Sequence, residues 1–371
     1  MEKSRRILIT TGVYPPEIGG PATYSKLLSD KLPFYNVKVD VLPFSVVRGY
    51  PKIIRHFLYF FKTLKLAHSV DIIFAQDTVS VGLPSMLVTK IMGKKFFVRV
   101  PGDYAWEQAT QRFGVTDSID DFQNKRHNLR TEILKMIQRL VVNNANVVIT
   151  PSVYFKNLVS RWCNNPQKVH AIYNGVELNS KSIDKSIARK KLNIDTNIEV
   201  LFSAGRLVPW KGFELLIDLV GDFKKEGRYI CLYIVGDGPD NEKLRSLIDK
   251  KNLQENVFML GSIGRSKLYE YLFAADVFVL NTGFESFSFQ IVEAMNCNLP
   301  VVSTIIGNLS EIIDSGEEGL LVKYNSKHEL KSAVVRFLTD DVFRNTCVLN
   351  AKEKSKMFSI ESTISNLLKL F

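Results

Sequence analysis

The chain has 371 residues, and at about 150 residues per domain this length predicts two domains. With 46% apolar, 11% aromatic and 23% charged residues, the chain can bury a substantial core, which excludes disordered, collagen-like and disulfide-scaffold proteins. The formal net charge is +11, and the four cysteines form neither a disulfide framework nor a zinc-ligand pattern, so we expect a reducing compartment and no structural metal.

The positive charge belongs to the first half of the chain. Residues 1–180 contain 24 Lys and Arg against 13 Asp and Glu, whereas residues 181–371 contain 25 of each. Such a basic half predicts a polyanionic partner, either an anionic membrane leaflet or nucleic acid, unless it is simply a solvated face. The sequence has no run of 18 apolar residues and no signal segment, so we expect a cytoplasmic protein without a membrane span.

Short apolar, β-branched runs alternate with segments of helical periodicity along the chain, which is typical of parallel βα units in α/β sheets. The strands predicted in the first half are 6–10, 37–42, 72–75, 96–100 and 147–150. The strands predicted in the second half are 200–204, 231–235, 257–260, 277–280, 301–303 and a short one near 319–322. The pattern therefore predicts two sheets of about five or six strands each.

The first predicted strand leads into the sequence YPPEIGGPA at residues 14–22. A turn at Gly19-Gly20, placed before a helix, would let the backbone approach a phosphate or a sugar closely. An ordinary tight turn between a strand and a helix explains the same two residues equally well.

Residues 48–68 form the most amphipathic segment of the first half. At about 100° per residue, one arc is apolar and Lys52, Arg55 and Lys62 lie opposite, with Lys65 at the margin. The apolar arc consists of Ile53, Ile54, Phe57, Leu58, Phe60, Phe61 and Leu64. One interpretation is a helix whose apolar face packs on the first domain and whose basic face is solvated. The other is that the basic face, or part of the apolar one, touches anionic lipid.

A charged and polar segment with scattered apolar residues, 179–197, separates the two groups of strands. Because a change of composition of this kind marks a connection between domains, we place the domain boundary there. The predicted domains are residues 1–180 and 181–371.

The strand at 200–204 is followed by GRLVPWKG at residues 205–212, in which Arg206 and Lys211 bracket a turn. Open α/β sheets bind ligands at the carboxyl ends of their strands, so these two cations would neutralise a diphosphate without a metal. The next strand leads into VGDGPD at 235–240, which lacks the third glycine of a dinucleotide fingerprint and indicates NAD only weakly.

The strongest group of candidate residues is NTGFESFSFQIVE at 281–293, directly after the strand at 277–280. Glu285 falls in a loop at the strand end, and Glu293 falls about one turn into a helix that Ser286 or Ser288 could cap. Such a loop points backbone N–H groups and the positive helix end outward, which favours an anionic group. The two carboxylates could then hold hydroxyls on either side of that anion; taken alone, each is better explained as a surface charge.

Several signatures are missing from the sequence. It contains no phosphate-binding P-loop, no H-E-x-x-H zinc motif, no G-x-S-x-G elbow and no D-x-D pair for a bridging divalent cation. The five histidines are dispersed, so we do not expect them to bind a metal. No metal site is predicted.

Taken together, these motifs resemble a known family. The pairs Gly19-Gly20, Gly205-Arg206 and Lys211-Gly212, the run GDGP at 236–239, and Glu285 with Glu293 are similar to the retaining nucleotide-sugar glycosyltransferases of family 4, which have the GT-B fold. Further matches are NGV at 174–176, PVV at 300–302, Gly307 and Glu311. The resemblance covers nearly the whole chain in order and is most specific in the second half.

The resemblance implies an α/β protein of two Rossmann-like, doubly wound domains that face a central cleft. The second domain would hold the donor and the first most of the acceptor, and the last helix, about 359–370, would cross back onto the first domain. Arg206 and Lys211 would bind the diphosphate and stabilise the leaving group, Glu285 would contact the transferred sugar, and Glu293 would accept hydrogen bonds from the ribose. The implied donor-binding residues are Gly19, Gly20, Gly205, Gly236, Gly238, Gly261, Phe287, Ser288 and Glu293.

Two positions depart from the family pattern. Relatives often have glycines after the first glutamate, where this chain has Ser286 and Ser288, and a serine Cβ would tighten the pocket. Many relatives also have a histidine that contacts the sugar where this chain has Pro101. Asp103, Tyr104 and Trp106 follow and could contact the sugar or the acceptor instead; the alternative is a structural turn with buried aromatic residues.

The activity that the resemblance implies is a retaining, metal-independent hexosyltransferase with no cofactor beyond its UDP- or GDP-linked sugar substrate. The acceptor would be lipid-linked or a polysaccharide at the cytoplasmic membrane face, with the basic first domain on an anionic membrane surface. A nucleotide-sugar epimerase or a phosphorylase on the same fold is the alternative. A nucleic-acid partner is not expected, because no recognition motif accompanies the charge.

Overall fold

The computed structural model describes residues 5–17, 19–177 and 183–371. The chain divides into two compact units, Met1–Gly175 together with Ile360–Phe371, and Val176–Ser359. The division falls between Gly175 and Val176, and the predicted boundary between residues 180 and 181 lies outside the described residues.

The segment predicted as a connection, 179–197, is described only from residue 183 onward. Its described part contains the helix Lys185–Leu192, which belongs to the second unit. The buried Arg189 joins this helix to the rest of that unit by donating hydrogen bonds to the carbonyl of Ala274 (2.9 Å) and the carboxylate of Asp276 (2.7 Å). The polar composition of this segment therefore did not predict its helix, which is joined to the second unit by hydrogen bonds of its Arg189 side chain.

The first unit contains a parallel sheet with the strand order β2-β1-β3-β4-β5-β6. Its strands are β1 (Arg5–Thr11), β2 (Val37–Pro43), β3 (Ile72–Ala75), β4 (Lys95–Arg99), β5 (Val147–Thr150) and β6 (Val169–Ala171). Most of their residues are apolar because a sheet covered by helices on both faces buries successive side chains alike. The strand β6 was not predicted, since only three residues form it and one of them is His170.

The second unit contains the other parallel sheet, with the order β12-β11-β10-β7-β8-β9. Its strands are β7 (Glu199–Ala204), β8 (Ile230–Val235), β9 (Val257–Gly261), β10 (Val277–Val279), β11 (Val301–Thr304) and β12 (Leu320–Val322). All the strands predicted from the sequence are present, with ends that differ by at most one residue. The prediction of an α/β protein with two sheets of five or six strands is confirmed.

Helices connect the strands in both units. Those of the first unit before the division are α1 (Gly20–Lys31), α2 (Lys52–Ala67), α3 (Gly82–Met92), α4 (Tyr104–Phe113), α5 (Ile119–Asn124), α6 (Leu129–Asn144) and α7 (Val153–Ser160). Those of the second unit are α8 (Lys185–Leu192), α9 (Phe213–Lys225), α10 (Asn241–Lys250), α11 (Arg265–Ala274), α12 (Phe289–Asn296), α13 (Leu309–Ile312), α14 (Lys327–Thr339) and α15 (Asp341–Ser355). The 3₁₀ helices are Leu32–Tyr35, Phe44–Val47, Pro166–Lys168, Pro209–Lys211 and Lys356–Phe358.

The last helix, α16 (Ile360–Leu368), belongs to the first unit and completes its core. Ile364 and Leu367 are fully buried, and the ring of Phe371 lies 5.7 Å from that of Phe97 on β4. The helix begins beside Gly175, where a Cβ would lie 2.7 Å from the Cα of Ile360. A glycine is needed at 175 for this close approach.

The helix predicted within 48–68 is α2, but its apolar arc does not simply face the sheet. Its buried side consists of Tyr59, Thr63 and Ala67, and the Tyr59 hydroxyl donates a hydrogen bond to the carbonyl of Leu42 (2.7 Å). Ile54, Phe57 and Phe61 are exposed, so the interpretation that the whole arc packs on the first domain is wrong for these three residues. Tyr59 and Thr63 pack inward because their polar atoms bond to backbone carbonyls.

Candidate functional site

The order of strands in the second sheet locates a binding crevice. β7 lies between β8 and β10, so the chain first proceeds to one side of β7 and later returns to its other side. At such a switch point the loops after the two central strands diverge, and ligands of open α/β sheets bind there. We call residues 205–212 the β7 loop and residues 281–288 the β10 loop.

Hydrogen bonds join the β7 loop to the β10 loop. The backbone N–H of Gly283 donates to the carbonyl of Trp210 (2.6 Å), and the side-chain amide of Asn281 donates to the carbonyl of Gly212 (3.2 Å). Gly212 has φ +55°, and a Cβ there would lie 2.3 Å from that amide nitrogen. The two loops therefore form one supported structure in which the backbone at 212 requires glycine.

The same loops hold a buried ion pair, in which the Lys211 ammonium contacts the Glu285 carboxylate. Both residues are more than nine-tenths buried. Burial raises the pKa of Glu285, and the neighbouring Lys211 opposes that rise. The arrangement thus places one fixed cation and one carboxylate between the carboxyl ends of β7 and β10, as the sequence motifs predicted.

Arg206, the second predicted cation, is exposed at the beginning of the β7 loop. It therefore differs from Lys211, whose charge is largely removed from water. Because electrostatic interactions are stronger where water is excluded, Lys211 is the better placed of the two to act on an anion in this crevice.

The β10 loop leads directly into α12. Ser288 is fully buried and caps this helix, since its hydroxyl accepts a hydrogen bond from the N–H of Ile291 (3.4 Å). Of the two serines proposed as caps, Ser288 serves as the cap. Phe287 is buried and packs edge-on against Phe289 at 5.6 Å between ring centroids. The N-terminus of α12 consequently opens toward the same crevice as the ion pair.

Glu293 lies one turn into α12 and is buried. Its burial raises the pKa to about 7, while the guanidinium of Arg265, 3.8 Å away, acts in the opposite direction. Arg265 also pairs with Glu177 at 2.9 Å. A carboxyl group with a pKa near neutrality and one cationic neighbour can accept hydrogen bonds from a ligand's hydroxyls once it is ionised.

The predicted donor-binding glycines differ in how much space a side chain would have at each position. A Cβ at Gly236 would lie 1.8 Å from the carbonyl oxygen of Gly205, and a Cβ at Gly238 would lie 2.3 Å from that of Leu207. These two glycines let the loop after β8 pack on the β7 loop. Gly261 has φ +66° and open space around its Cβ position, whereas Gly205 makes only ordinary contacts with Phe213 and Lys211.

Among the residues predicted in the first unit, Gly19 and Gly20 stand at the start of α1, where Gly19 has φ +150°. Asp103 is buried and caps α4, accepting a hydrogen bond from the N–H of Trp106 at 3.1 Å.

The side-chain amides of Gln123 (2.8 Å) and Gln138 (3.1 Å) also donate to Asp103. Trp106 is buried with its indole N–H bonded to the carbonyl of Asp117, and Tyr104 is half-buried. These contacts favour the alternative of a structural turn over an acceptor contact for Asp103 and Trp106.

The sequence analysis did not assign roles to three residues of this region. Arg265 begins α11 and carried no motif, so only its approach to Glu293 identifies it. Asn281 and Thr282 stand in the quoted motif, but their role in joining the two loops depends on the packing of β7 beside β10.

Two further observations concern the described residues only. Within them, no group of three or more His, Cys, Asp or Glu side chains is arranged to hold a metal ion. None of the helices in the described ranges combines the length and the apolar character that crossing a bilayer requires.

Comparison with known protein families divides the chain in two. Residues 184–354 match the model described as Glycosyl transferases group 1, and residues 18–180 match the model described as Glycosyltransferase Family 4. The first match contains Lys211, Glu285 and Glu293.

Characterised and uncharacterised relatives point the same way. One uncharacterized glycosyltransferase of Methanocaldococcus jannaschii is 28% identical, and the alignment covers 63% of this chain and 61% of that relative. A second uncharacterized glycosyltransferase of the same organism is 27% identical, and the alignment covers 99% of this chain and 98% of that relative. A third relative, the N-acetylgalactosamine-N,N'-diacetylbacillosaminyl-diphospho-undecaprenol 4-alpha-N-acetylgalactosaminyltransferase of Campylobacter jejuni, is 27% identical over 63% of this chain and 62% of its own length. The chain thus spans somewhat under two thirds of the first and third of these relatives.

Solved structures share the fold. A sucrose-phosphate synthase of Thermosynechococcus elongatus superposes with a TM-score of 0.82 at 20% identity, covering 99% of this chain and 98% of that one. HepE of Anabaena in complex with UDP-glucose gives a TM-score of 0.78 at 20% identity, covering 99% and 100%. At this level of identity the likeness establishes the fold.

Proposed function

We propose that this chain, which belongs to the glycosyltransferases of the family 4 type with the GT-B fold, moves a hexose-type sugar from a nucleotide diphosphate to a lipid-linked or polysaccharide acceptor at the cytoplasmic membrane face. The observation that carries the proposal is the buried Lys211–Glu285 pair, set between the β7 and β10 loops at the switch point of the second sheet. We assign the donor to this unit and the acceptor to the first.

The donor's diphosphate would be held by Lys211 and Arg206. Lys211 is fixed by its contact with Glu285 and by the loop that ends at Gly212, so its charge needs little reorganisation when a phosphate arrives. The N–H groups at the start of α12 add a partial positive charge on the same side. Together these groups would offset the charge that develops as the nucleotide departs.

The two carboxylates would orient the donor's neutral parts. Glu285 lies beside Lys211, so a sugar attached to a bound diphosphate would present its hydroxyls to this carboxylate. Glu293, farther along α12, would accept hydrogen bonds from the ribose; bonds to a charged acceptor contribute about 1.5–3 kcal/mol each. Gly261 would leave room for the nucleoside, and Gly236 and Gly238 would hold the loop after β8 against the β7 loop beside it.

The reaction would proceed on one face of the sugar with retention of configuration. The bond between the anomeric carbon and the phosphate oxygen breaks while a bond to the acceptor oxygen forms, and the acceptor's proton passes to the departing phosphate oxygen. No second carboxylate is then needed as a nucleophile, in contrast to retaining glycosidases. The two cations stabilise the leaving group in the role that a divalent metal would otherwise take.

An uncharged polar group supports an acceptor role for the first unit. In that sheet β1 lies between β2 and β3, so its switch point lies at the carboxyl ends of β1 and β3. Gln76 follows β3 there, and within the described ranges both polar atoms of its buried side chain have no hydrogen-bond partner. An amide in this state suits a ligand's hydroxyl, since leaving it unpaired costs about 1–3 kcal/mol.

Membrane association is the remaining part of the proposal. The basic first half of the chain provides the charge for an anionic surface. The Campylobacter jejuni relative is named for a diphospho-undecaprenol substrate, which makes a lipid-linked acceptor the first class to test here.

The decisive experiment measures transfer from labelled nucleotide sugars, starting with UDP-glucose because the Anabaena neighbour binds it. Thermal-shift screening over UDP- and GDP-sugars would first identify the donor, since a ligand that binds the folded state raises the melting temperature. Lys211→Ala should lower kcat by about 10²–10³, the loss typical of removing a fixed electrostatic group, and Glu293→Ala should mainly raise the donor KM.

Three results would contradict the proposal. Transfer by Lys211→Ala and Arg206→Ala at the wild-type rate would exclude the diphosphate role of these cations. Loss of all activity in excess EDTA would indicate a metal-dependent reaction. Release of an epimerised nucleotide sugar, or of a sugar phosphate, would identify the epimerase or the phosphorylase instead.

A further inference from the structure

One helical layer of the first unit exposes apolar side chains in an orderly pattern. α3 packs against α2 on one side and against α6 on the other, so the three helices form a continuous layer on the sheet. Among the side chains of these helices that the structure describes, nine large apolar ones on the outward faces are between 42% and 76% exposed. These residues, which we call the apolar patch, are Ile54, Phe57, Phe61, Leu87, Ile91, Leu129, Ile133, Met136 and Leu140.

The spacing within each helix shows that the exposure is a face and not a scatter of single residues. On α6 the four exposed residues follow one another at intervals of four, three and four, which is the period of a single helical stripe. On α2, Ile54, Phe57 and Phe61 repeat the same intervals of three and four. Because α2 and α6 both expose apolar residues at this helical spacing, the exposed residues form an ordered surface and are not isolated surface positions.

The interior of the layer is filled by other residues, so the patch is not needed for the core. α2 presents Tyr59, Thr63 and Ala67 to the sheet, and α6 presents Val141 and Val142, all of them fully buried. The exposed side chains therefore cost the protein hydrophobic free energy in water unless something covers them. The location of the patch on one layer of one unit indicates a single planar partner.

The charge around the patch identifies the chemistry of that partner. α2, α3 and α6 contain eight Lys and Arg and one acidic residue, Glu132, which pairs with the buried Lys135 at 3.2 Å. Lys62, Lys65 and Arg139 remain exposed beside the apolar residues. A protein partner would be expected to meet mixed charges, whereas an apolar surface bordered mainly by cations matches an anionic headgroup layer above acyl chains.

We infer that the apolar patch on α2, α3 and α6 inserts into the surface of an anionic lipid bilayer, with the surrounding lysines and arginines at the phosphates. This extends the membrane association proposed above, because it assigns the contact to apolar insertion by three helices and not to charge alone. An open surface depression lined by Phe113, Asn128, Leu129 and Arg130 adjoins the patch at Leu129.

Vesicle flotation with the full chain tests the inference. The wild-type protein should float with vesicles of phosphatidylcholine and phosphatidylglycerol and only weakly with phosphatidylcholine alone. Phe57→Ser/Phe61→Ser/Met136→Ser should lower partitioning into the mixed vesicles at least about tenfold. Val342→Ser/Leu349→Ser/Met357→Ser, equally exposed in the second unit, is the matched control and should partition as the wild type does.

Two further variants separate insertion from attraction by charge. Lys62→Gln/Lys65→Gln should weaken binding to mixed vesicles and leave the small binding to neutral vesicles unchanged, with Lys190→Gln/Lys191→Gln as the control. Phe57→Trp should show a blue-shifted emission on binding and quenching by brominated acyl chains, as expected for a side chain about 5–10 Å below the headgroups. Thermal melts of every variant establish that it is folded.

Three outcomes would overturn the inference. In the first, the apolar triple variant would float with mixed vesicles as the wild type does. In the second, Lys62→Gln/Lys65→Gln would abolish vesicle binding, and the tryptophan of Phe57→Trp would not be quenched by brominated acyl chains. In the third, the wild type would not float but would sediment as a dimer that the apolar triple variant converts to a monomer, so that a second copy covers the patch. Since flotation requires no sugar transfer, a chain that floats but is inactive would refute the proposed function and leave the patch assignment intact.

Discussion

The two units of this chain have the same type of sheet but place different chemistry at its switch point. In the first unit, the loop after β1 begins with Gly12, where a Cβ would lie 2.7 Å from a carboxylate oxygen of Asp77 after β3. The other oxygen of Asp77 accepts a hydrogen bond from the N–H of Val81 (3.0 Å) at the start of α3. In the second unit, Lys211 and Glu285 meet across the corresponding pair of loops.

The same topology therefore carries different charged and polar groups at its two switch points. The crevice arises from strand order alone, but its charge depends on which residues follow the central strands. A buried cation suits a diphosphate, whereas the unpartnered amide of Gln76 in the described part of the first unit suits a hydroxyl.

The difference between the two units would be refuted if the buried Lys211–Glu285 ion pair contributed no more to the free energy of unfolding than a surface ion pair does. Lys211→Met leaves the Glu285 carboxylate buried without a cation, which costs about 3–5 kcal/mol and should appear as a large fall in the urea midpoint. Lys26→Met, in the half-exposed Lys26–Asp30 pair of α1, should leave the urea midpoint nearly unchanged.

A double variant separates folding from catalysis at this pair. Lys211→Met/Glu285→Leu removes both buried charges, so its stability should return close to the wild-type value while sugar transfer stays lost. If the single variant Lys211→Met had the same urea midpoint as the wild type, the ion pair would not be buried in solution.

Glu293 makes the second unit sensitive to pH. Its pKa is raised from the usual 4.5 to about 7, so the folded protein holds a proton that the unfolded chain has released. The free energy of unfolding should therefore fall as the pH rises from about 4.5 to about 7 and then level off, by about 3 kcal/mol in total. Glu293→Gln should abolish this part of the profile, which is measured as the difference between the two proteins.

Donor binding should show the opposite trend at the same residue. Only the ionised Glu293 accepts strong hydrogen bonds from ribose hydroxyls, so the donor Kd should decrease as the pH rises through about 7. Calorimetry on the wild type and on Glu293→Gln measures this effect. Equal pH profiles for the two proteins would remove Glu293 from the ribose site.

The packing of the β8 loop on the β7 loop predicts a smaller effect. Gly236→Ala places a Cβ within 1.8 Å of the carbonyl oxygen of Gly205 and strains a backbone with φ +141°, so it should cost about 2–3 kcal/mol and weaken nucleotide binding. Among the described residues, nothing lies within 4 Å of a Cβ at position 264, so Gly264→Ala should change the melting temperature little. Equal melting temperatures for the two variants would contradict the close packing of the loops.

The smallest effect is expected at Asp103 in the first unit. Asp103→Asn removes an acceptor for the side-chain amide of Gln123 and should lower stability by about 1–2 kcal/mol, without changing the acceptor KM. Ser118→Ala at the cap of α5 reports the cost of losing a cap alone. A raised acceptor KM at unchanged stability would instead restore Asp103 to the acceptor site.

Prediction from sequence succeeded where local patterns carry the information. All eleven predicted strands match to within one residue at either end because buried parallel strands require continuous apolar runs, and Lys211 and Glu285 follow two of them. It failed where a residue acts through distant contacts. Arg189 joins the polar helix α8 to Asp276, which lies 87 residues away in the sequence. Arg265 lies close to Glu293, but no sequence motif predicts this contact.

Local patterns in the sequence specify the class of fold, the number of sheets and the identity of the charged groups at the second switch point, because apolar runs and the residues that follow them are near one another in the chain. Packing in three dimensions determines which face of α2 is buried, that Asp103 caps a helix, and that nine apolar side chains share one outer layer. These depend on which elements pack together, because burial is a property of neighbours in space and a helical pattern alone does not specify which side a sheet will cover.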